Sequence, residues 1–351
     1  MLRWAEVYLD RLKRNYENLK RFTGHKRIIA VVKANAYGHG SVKVASFLER
    51  KTDVDAFAVA TVFEGIELRE GGVEKPIIVM SNPLFENARN FLEYRLTPVI
   101  FDFESLGIAL ETGIPFHIKL DTGMGRLGFL PGDFQRLTEI FKSPLFKGIM
   151  SHFPVSDEDK CFTKEQFSFF LRFIKEVLKV NRNVAVHIDN SAAVPYHFDS
   201  LLTHSRIGLA LYGSKPSSNF PVKLEQVMEI KSRLIQVKTL PEGWGISYGR
   251  TYVTSSREKV GVVAFGYADG LMRSLSGNWS VKINGRKCSV RGRICMDMTI
   301  VSLEGVKASP GDEVIITDRE LTFDKMAEKA GTISYEIMCD VSPRVKRIFI
   351  E

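Results

Sequence analysis

The sequence predicts an α/β protein in which an N-terminal (β/α)8 TIM barrel is followed by a smaller, mostly β domain. Between residues 27 and 213, short apolar runs alternate eight times with helix-period segments. Each run is apolar on both faces, as buried parallel strands require. Near residue 222 the pattern changes to short strands separated by Gly, Pro and Asn turns. We therefore expect one domain at residues 1–222 and a second at residues 223–351.

The predicted barrel strands follow one another closely along the chain. In order they are RIIAVVK, AFAVAT, PIIVMS, TPVIFD, PFHIKLD, FKGIMSH, VAVHIDN and RIGLALYG. The helical segments between them include SVKVASFLER, FEGIELREGG, PGDFQRLTEIFK and TKEQFSFFLRFIKEVLK. An open doubly wound sheet is the structural alternative, but the G-x-G-x-x-G motif that would favour it does not follow the first strand. The N-terminal MLRWAEVYLDRLKRNYENLK has the pattern of an amphipathic helix and not of a signal peptide.

The second domain is predicted as a set of short strands. They are RLIQVKTL, KVGVVAFG, SVKINGRKCSVRGRI, MTIVSL and EVIITD. The Asn-Gly pair in INGRKC predicts a β-hairpin, because both residues accept the positive φ angles of a tight type I′ turn.

Composition narrows the functional classes. The net charge is +8, but the 49 Lys and Arg are scattered among 41 acids without a basic block, so we expect no nucleic-acid partner. Four cysteines in 351 residues, none in a C-x-x-C pair, indicate free thiols in a reducing compartment. No apolar run approaches the roughly 20 residues that span a bilayer. We therefore expect a cytoplasmic protein with no membrane partner and no metal site.

Chemically versatile residues follow the predicted strands where a barrel places its active site. Lys33 and Tyr37 follow the first strand, and Lys119 ends the fifth. The others are Arg126, His152, Asn190, Ser191, Arg206 and Gly208. Each alone has a simpler explanation, such as a solvated rim lysine or a hydrogen-bonded scaffold histidine. Their convergence on one rim predicts a site for an anionic, aromatic molecule that bears a carbonyl group.

AVVKANAYGHG resembles the cofactor-lysine signature of the alanine racemase family, whose members use pyridoxal 5'-phosphate (PLP). KLDTGMGRLG, HIDNSAA, RIGLALYG, ISYGRTY, GYADG, GRICMD and SYEI resemble further family segments in the family's order. The resemblance covers nearly the whole chain and implies the barrel and β domain expected above. It also implies PLP-dependent interconversion of L-alanine and D-alanine by two bases, which supplies D-alanine for peptidoglycan.

The resemblance implies a role for each cofactor residue. Lys33 would carry PLP, and His152 would pack beside the pyridine ring. The residues expected near the cofactor, most of them at its phosphate, are Tyr37, Asn190, Ser191, Gly208, Leu209 and Tyr335. Arg206 would face the pyridine nitrogen, oriented by His187. Because an arginine stays charged, it disfavours protonation of that nitrogen, weakens the ring as an electron sink and restricts side reactions.

Racemisation needs a base on each face of Cα. The resemblance implies Lys33 for one face and Tyr248, from a second subunit of a homodimer, for the other. A phenol is a weak base at neutral pH, so cations such as Arg126 are expected to favour the phenolate. Arg126 and the backbone of Met296 would bind the carboxylate of the amino-acid substrate. Lys119 matches a position that carries a carbamate in several family members, and an unmodified structural lysine is the alternative.

The resemblance also places a substrate corridor. Its residues would be Tyr267, Arg273, Arg293, Ile333 and Asp157.

Three other functions remain open at this point. A PLP-dependent decarboxylase would be expected to place a carboxylate where Arg206 stands, and a non-catalytic PLP carrier would need no β domain. A racemase of broader specificity differs only in how the corridor is packed.

Overall fold

The computed structural model describes residues 1–81, 84–198 and 200–351. Its strands are β1 Arg3–Tyr8, β2 Arg27–Val31, β3 Ala56–Val59, β4 Ile77–Val79, β5 Leu96–Ile100, β6 Phe116–Lys119, β7 Phe146–Met150, β8 Ala185–His187, β9 His204–Ile207, β10 Met228–Leu240, β11 Gly245–Ile246, β12 Tyr252–Val253, β13 Glu258–Val263, β14 Ser280–Ile283, β15 Arg286–Ser289, β16 Thr299–Ser302, β17 Glu313–Ile315 and β18 Lys346–Ile350. Its helices are α1 Leu9–Thr23, α2 Lys33–Tyr37, α3 Ser41–Lys51, α4 Val62–Glu70, α5 Ala88–Glu93, α6 Phe103–Thr112, α7 Phe134–Leu137, α8 Lys160–Val180, α9 Phe323–Ala330 and α10 Ser334–Cys339.

Strands β2 to β9 form the predicted parallel barrel, with a helical segment after most strands. Strands β2 to β8 pair in chain order, and β9 returns to pair with β2. The seam between β8 and β9 is bridged by two backbone hydrogen bonds, Arg206 N–H to Asp189 O at 3.1 Å and Thr203 N–H to Val186 O at 2.9 Å. All eight predicted strands are confirmed, and the open sheet is excluded. The carboxyl ends of these strands therefore share one rim, as the site prediction required.

A second sheet contains the remaining long strands. Its order is β15-β14-β17-β10-β1-β18, with β13 pairing both β10 and β16. The predicted hairpin joins β14 to β15 with Ile283 opposite Arg286. Asn284 and Gly285 take φ angles of 48° and 77°, so the turn is the one that the Asn-Gly pair predicts.

Two helix predictions need correction. The N-terminal segment is not helical throughout, because residues 3–8 form β1, which pairs with β10 and β18, and α1 begins only at Leu9. Ala5 and Val7, two residues apart, are fully buried on one face of β1, which lies between β10 and β18 in the second sheet. The segment 131–142 is broken into short turns around α7, where the Thr138 hydroxyl donates to the Gln135 carbonyl at 2.8 Å and competes with regular helix.

All four cysteines are free thiols. Within residues 1–81, 84–198 and 200–351, no helix has the length and apolar character that crossing a bilayer would need.

Candidate active site

The site begins at the chain reversal that follows β2. Residues 34–37 all have positive φ angles, between 50° and 53°, so α2 is a left-handed turn built without glycine. Left-handed conformations cost roughly 1–2 kcal/mol per non-glycine residue. Glu64 offsets part of this cost, since its carboxylate accepts hydrogen bonds from Ala34 N–H and Ala60 N–H, each at 2.7 Å. The turn brings Lys33 and Tyr37 into the lining of the same pocket.

Lys33 lies in an environment that favours its neutral amine. Burial lowers its pKa, and the positive charge of Arg126 lowers it further, while Glu64 acts in the opposite direction. A neutral amine can act as a nucleophile towards a carbonyl or as a base. The lysine that the sequence singled out therefore lies at a strand end in the pocket, with a lowered pKa.

The pocket is rich in positive charge. Its described lining contains Lys33, Lys119, Arg126 and Arg206 and no aspartate or glutamate. Lys119 is buried, and this burial, together with Arg126 and Arg206, lowers its pKa to about 8. Four basic side chains without a carboxylate among the described lining residues indicate a ligand that carries negative charge.

A short loop after β6 positions Arg126. The Asp121 carboxylate accepts four backbone hydrogen bonds of 2.9–3.1 Å, from residues 123 to 126. Burial opposes ionisation, but these N–H groups lower the pKa of Asp121 overall. Gly128 has a φ of 137°, and a Cβ there would lie 2.6 Å from Asp121 N, so the loop closes only on glycine.

Arg206 is buried and held by five hydrogen bonds through its two Nη atoms. Nη1 donates to Nδ1 of His187 at 2.8 Å, and Nη2 donates to Nδ1 of His152 at 3.1 Å. The other three acceptors are the backbone carbonyls of His187, Ser151 and Ile188. Burial lowers the pKa of Arg206 to about 10, so it stays charged at neutral pH. For both histidines, burial and then Arg206 hold the pKa well below its usual value, which makes them neutral acceptors.

A cradle of small groups lies beside these cations. The Ser191 hydroxyl oxygen accepts hydrogen bonds from Gly208 N–H at 3.1 Å and Ala210 N–H at 3.3 Å. The Tyr37 hydroxyl reaches so close to Gly208 that a Cβ there would lie 2.5 Å from its oxygen. The Tyr37 ring packs against Tyr335, with the centroids 5.9 Å apart. Hydroxyl and backbone donors at one point suit a phosphate group.

Most of the predicted site residues meet in this pocket. Those that line it are Lys33, Tyr37, Lys119, Arg126, His152, Asn190, Ser191, Arg206, Gly208, Leu209 and Tyr335. Sequence reasoning missed Val31, Met80, Ser81 and Met150, which complete the lining. Their only sequence signal is their position at or just beyond strand ends, which apolar wall residues share with ordinary core residues.

Tyr248 and Met296 do not line this pocket within one chain. Tyr248 is 69% exposed and follows Ser247, whose φ is 64°, and Met296 is 52% exposed. Their segments are neighbours, because the Ser247 hydroxyl donates to the Arg293 carbonyl at 2.6 Å and lies 3.2 Å from Sγ of Cys295, the residue before Met296. The predicted corridor residues Tyr267 and Arg293 lie in the same region, since Tyr267 N–H donates to Cys295 O at 3.0 Å.

The other predicted corridor residues are spread over neighbouring surfaces. Arg273 lines a small cavity with Tyr267. Asp157 lines a different cavity beside Lys160, and the Ile333 side chain is exposed. Within a single chain, these five residues do not form a continuous channel into the pocket.

The chain is a parallel barrel followed by a mostly β region, with a buried lysine in a pocket lined by basic side chains. The models for the N-terminal and C-terminal domains of alanine racemase match residues 7–216 and 227–349. The chain belongs to the alanine racemase family, as the sequence motifs indicated.

Individual relatives match along their full length. The alanine racemase of Aquifex pyrophilus is 46% identical over 346 residues, covering 99% of this chain and 98% of the relative. That of Aquifex aeolicus is 45% identical over 345 residues, covering 98% of each. Among solved structures, alanine racemase of Clostridium difficile 630 has a TM-score of 0.93 at 35% identity, covering 100% of this chain and 96% of that one. The Streptomyces lavendulae alanine racemase has a TM-score of 0.93 at 30% identity, with 100% and 97% covered.

Proposed function

We propose that the protein is an alanine racemase that interconverts L-alanine and D-alanine with PLP held on Lys33. The observation that carries the proposal is the pocket in which a desolvated lysine meets three further cations and a phosphate-sized cradle. The full-length relatives named alanine racemase support the substrate. D-alanine is a building block of the peptidoglycan cell wall, and we propose that supplying it is the biological role.

The residues present fit PLP. A phosphate dianion suits the cradle of Tyr37, Ser191 and the backbone at Gly208, where a larger side chain would collide with the tyrosine hydroxyl. When bound, PLP withdraws electrons from the substrate and makes its Cα proton removable. Arg126, with no carboxylate partner in the pocket lining, is free to bind the carboxylate of the amino acid.

Arg206 is the group that would face the pyridine nitrogen. All four of its Nη hydrogens are directed at acceptors in the barrel, so Nε–H is the donor left for a ligand in the pocket. A guanidinium at this place donates a hydrogen bond but no proton, so the pyridine nitrogen stays unprotonated. This arrangement favours simple removal and return of the Cα proton over decarboxylation, which is the runner-up reaction.

Among the described residues that line the pocket, the base that we propose is Lys33, with Lys119 held as a carbamate. The Lys33 amine serves one face of Cα. Burial raises the pKa of Tyr37 above its usual range and that of Tyr335 to about 12, so both hydroxyls keep their protons. Nδ1 of His152 is occupied by Arg206. The second base must therefore come from outside this pocket, and we propose Tyr248 of a second copy.

The exposed face around Tyr248 supports a homodimer. Tyr248 and Met296, in neighbouring segments, are both exposed, as are Trp244 and Met298 close to them in sequence, and exposed apolar side chains of this kind are typical of interfaces. An isologous pair would complete two identical sites, with Met296 of one copy beside Arg126 of the other.

Mixing two inactive variants tests the shared site. Lys33→Ala chains and Tyr248→Phe chains are combined under conditions that exchange subunits. With equal amounts, half of the dimers are mixed and each has one intact site, so about a quarter of the parental activity should return. If mass spectrometry detects mixed dimers but no activity returns, each chain builds its own site.

A substrate panel tests the reaction itself. Purified protein with PLP is incubated with each L-amino acid, and the enantiomers are separated by chiral chromatography. We expect D-alanine as the main product, whereas comparable racemisation of several larger amino acids would favour the broad-specificity alternative. Release of CO2 and an amine would overturn the proposal in favour of a decarboxylase.

Three further proposals concern the chain as a whole. We propose that Lys119 carries a carbamate, because its neutral amine can capture CO2 and the resulting anion would lie among Arg126 and Arg206. We propose a domain division between residues 222 and 223, with β1 as an N-terminal strand that joins the second sheet. The four free thiols support a location in the reducing cytoplasm.

A further inference from the structure

A chain of hydrogen-bonded side chains leads from Arg206 through the barrel interior, away from the pocket. Nη1 of Arg206 donates to Nδ1 of His187 at 2.8 Å, and Nε2 of His187 lies 2.9 Å from Nδ1 of His117. All three side chains are buried. The His117 ring also lines a cavity at the opposite mouth of the barrel, beside Arg27 and His204.

The direction of every bond in this chain follows from Arg206. A guanidinium only donates, so Nδ1 of His187 must accept and its proton must sit on Nε2. Nε2–H of His187 then donates to Nδ1 of His117. Burial, followed by the charges of His204 and Arg206, lowers the pKa of His117 to about 3, so it is a neutral acceptor. This single placement of protons satisfies both hydrogen bonds, from Arg206 to His187 and from His187 to His117.

The barrel makes room for the His117 ring with a glycine. Gly148 of β7 is opposite His117 of β6 in the pairing of the two strands. A Cβ on Gly148 would lie 2.7 Å from both Nδ1 and Cε1 of the ring. A glycine inside a strand costs conformational entropy and often marks a close approach of another group. The position of the His117 ring therefore depends on residues of both β6 and β7.

We infer that His117 is a positioning residue: by accepting the Nε2–H of His187 it holds that ring in place, and the ring in turn holds Arg206 with its Nε–H available to the pocket. The catalytic consequence of this inference rests on the proposed function. The hydrogen-bond chain itself does not, because it exists in the protein before any cofactor is added.

The first test uses the cofactor-free protein labelled with 15N-histidine. In the parent, the two ring nitrogens of His187 should give widely separated 15N shifts, as a single Nε2–H tautomer requires. His117→Leu removes the acceptor, so the Nε2–H proton resonance of His187 should move upfield, and Gly148→Ala should do the same by displacing the ring. His117→Gln offers an amide oxygen in place of Nδ1 and should retain the parental shifts. His25→Gln, at an exposed ring, is the matched control.

The second test uses the PLP-loaded enzyme. His117→Leu and Gly148→Ala should lower kcat for alanine by about tenfold or more and leave KM within about twofold, since substrate carboxylate contacts are untouched. His117→Gln should recover kcat to within about threefold of the parent. Unchanged His187 shifts in both His117→Leu and Gly148→Ala would overturn the inference. A parent without racemase activity would instead overturn the proposed function and leave the result of the first test standing.

Discussion

Gly208 offers a direct test of the phosphate cradle, because a single added methyl group should displace the Tyr37 hydroxyl. The φ angle of Gly208 is −118°, which is not left-handed, so the effect of Gly208→Ala is steric. The new Cβ would lie 2.5 Å from the hydroxyl oxygen of Tyr37 and 3.1 Å from Cζ. Comfortable contacts lie at roughly 3.5–4.0 Å, so the hydroxyl must withdraw by about 1 Å.

The size of the effect follows from two terms. Overpacking of a buried site costs about 1–3 kcal/mol, and the Tyr37 ring is confined by Tyr212, whose centroid is 5.0 Å away. Losing a hydrogen bond to a charged group costs about 1.5–3 kcal/mol of binding. Since about 1.4 kcal/mol corresponds to tenfold in affinity, the Kd for PLP should rise roughly 10- to 100-fold. The overpacking alone is smaller than a typical folding free energy of about 5–15 kcal/mol, so the variant should fold.

The assay is a titration of cofactor-free protein with PLP, followed by absorbance, together with thermal unfolding. Gly107→Ala is the matched control, because a Cβ at this position in α6 meets no atom within 4 Å. The control should bind PLP like the parent and gain up to about 1 kcal/mol of stability from its helical position. A Kd for Gly208→Ala within twofold of the parent would refute the assignment of this cradle to the phosphate.

Four further outcomes are expected. Borohydride treatment of the PLP-loaded protein should fix the cofactor on Lys33, and label on any other lysine would contradict this site. Asp121→Asn should raise KM for alanine by about tenfold, because the loop that holds Arg126 loses charged acceptors for its N–H groups, with steady-state kinetics as the measurement. CO2 adds only to a neutral amine, so the amount of carbamate that intact mass spectrometry detects on Lys119 should increase as the pH rises through about 8. Absence of the adduct above that pH would contradict the proposed carbamate. Tyr248→Phe should lower racemisation by about 100-fold or more while Cα proton exchange persists for one enantiomer, and parental racemisation would exclude this tyrosine as a base.

The barrel was predictable because its strands are apolar on both faces and because strand segments alternate with helical segments at regular intervals. The hairpin at Asn284 and Gly285 was predictable because it is a local property of two residues. The strand at residues 3–8 was not, since its partners lie more than 200 residues away and the helical pattern of the next residues hides it. Local signals were therefore sufficient wherever the structure depends on neighbours in sequence.

The candidate site also combines features that could be predicted from the sequence with features that could not. The candidate roles of Lys33 and Arg206 could be proposed from motifs, and their position at the rim of the barrel from the ends of the predicted strands. The left-handed turn after Lys33 could not, because its stabilising carboxylate, Glu64, lies 30 residues further on. The bond between His117 and His187 joins residues 70 apart, and neither lies in a motif that predicts the pair. Such contacts depend on which interior layer of the barrel each side chain occupies.

The charge of the pocket connects the two proposed bases. Burial lowers the pKa of Lys33, and the charges of Arg126 and Arg206 lower it further, which favours the neutral amine. The field of these cations would favour the anionic form of a phenol placed next to them, because a phenolate gains what an ammonium loses, whereas burial outweighs this effect at Tyr37 and Tyr335. A tyrosine kept on an exposed surface, as Tyr248 is in one chain, would meet this field only when a second copy delivers it. If a second copy supplies the second base, as proposed above, the same cations would favour both the neutral amine of Lys33 and the phenolate of the incoming tyrosine.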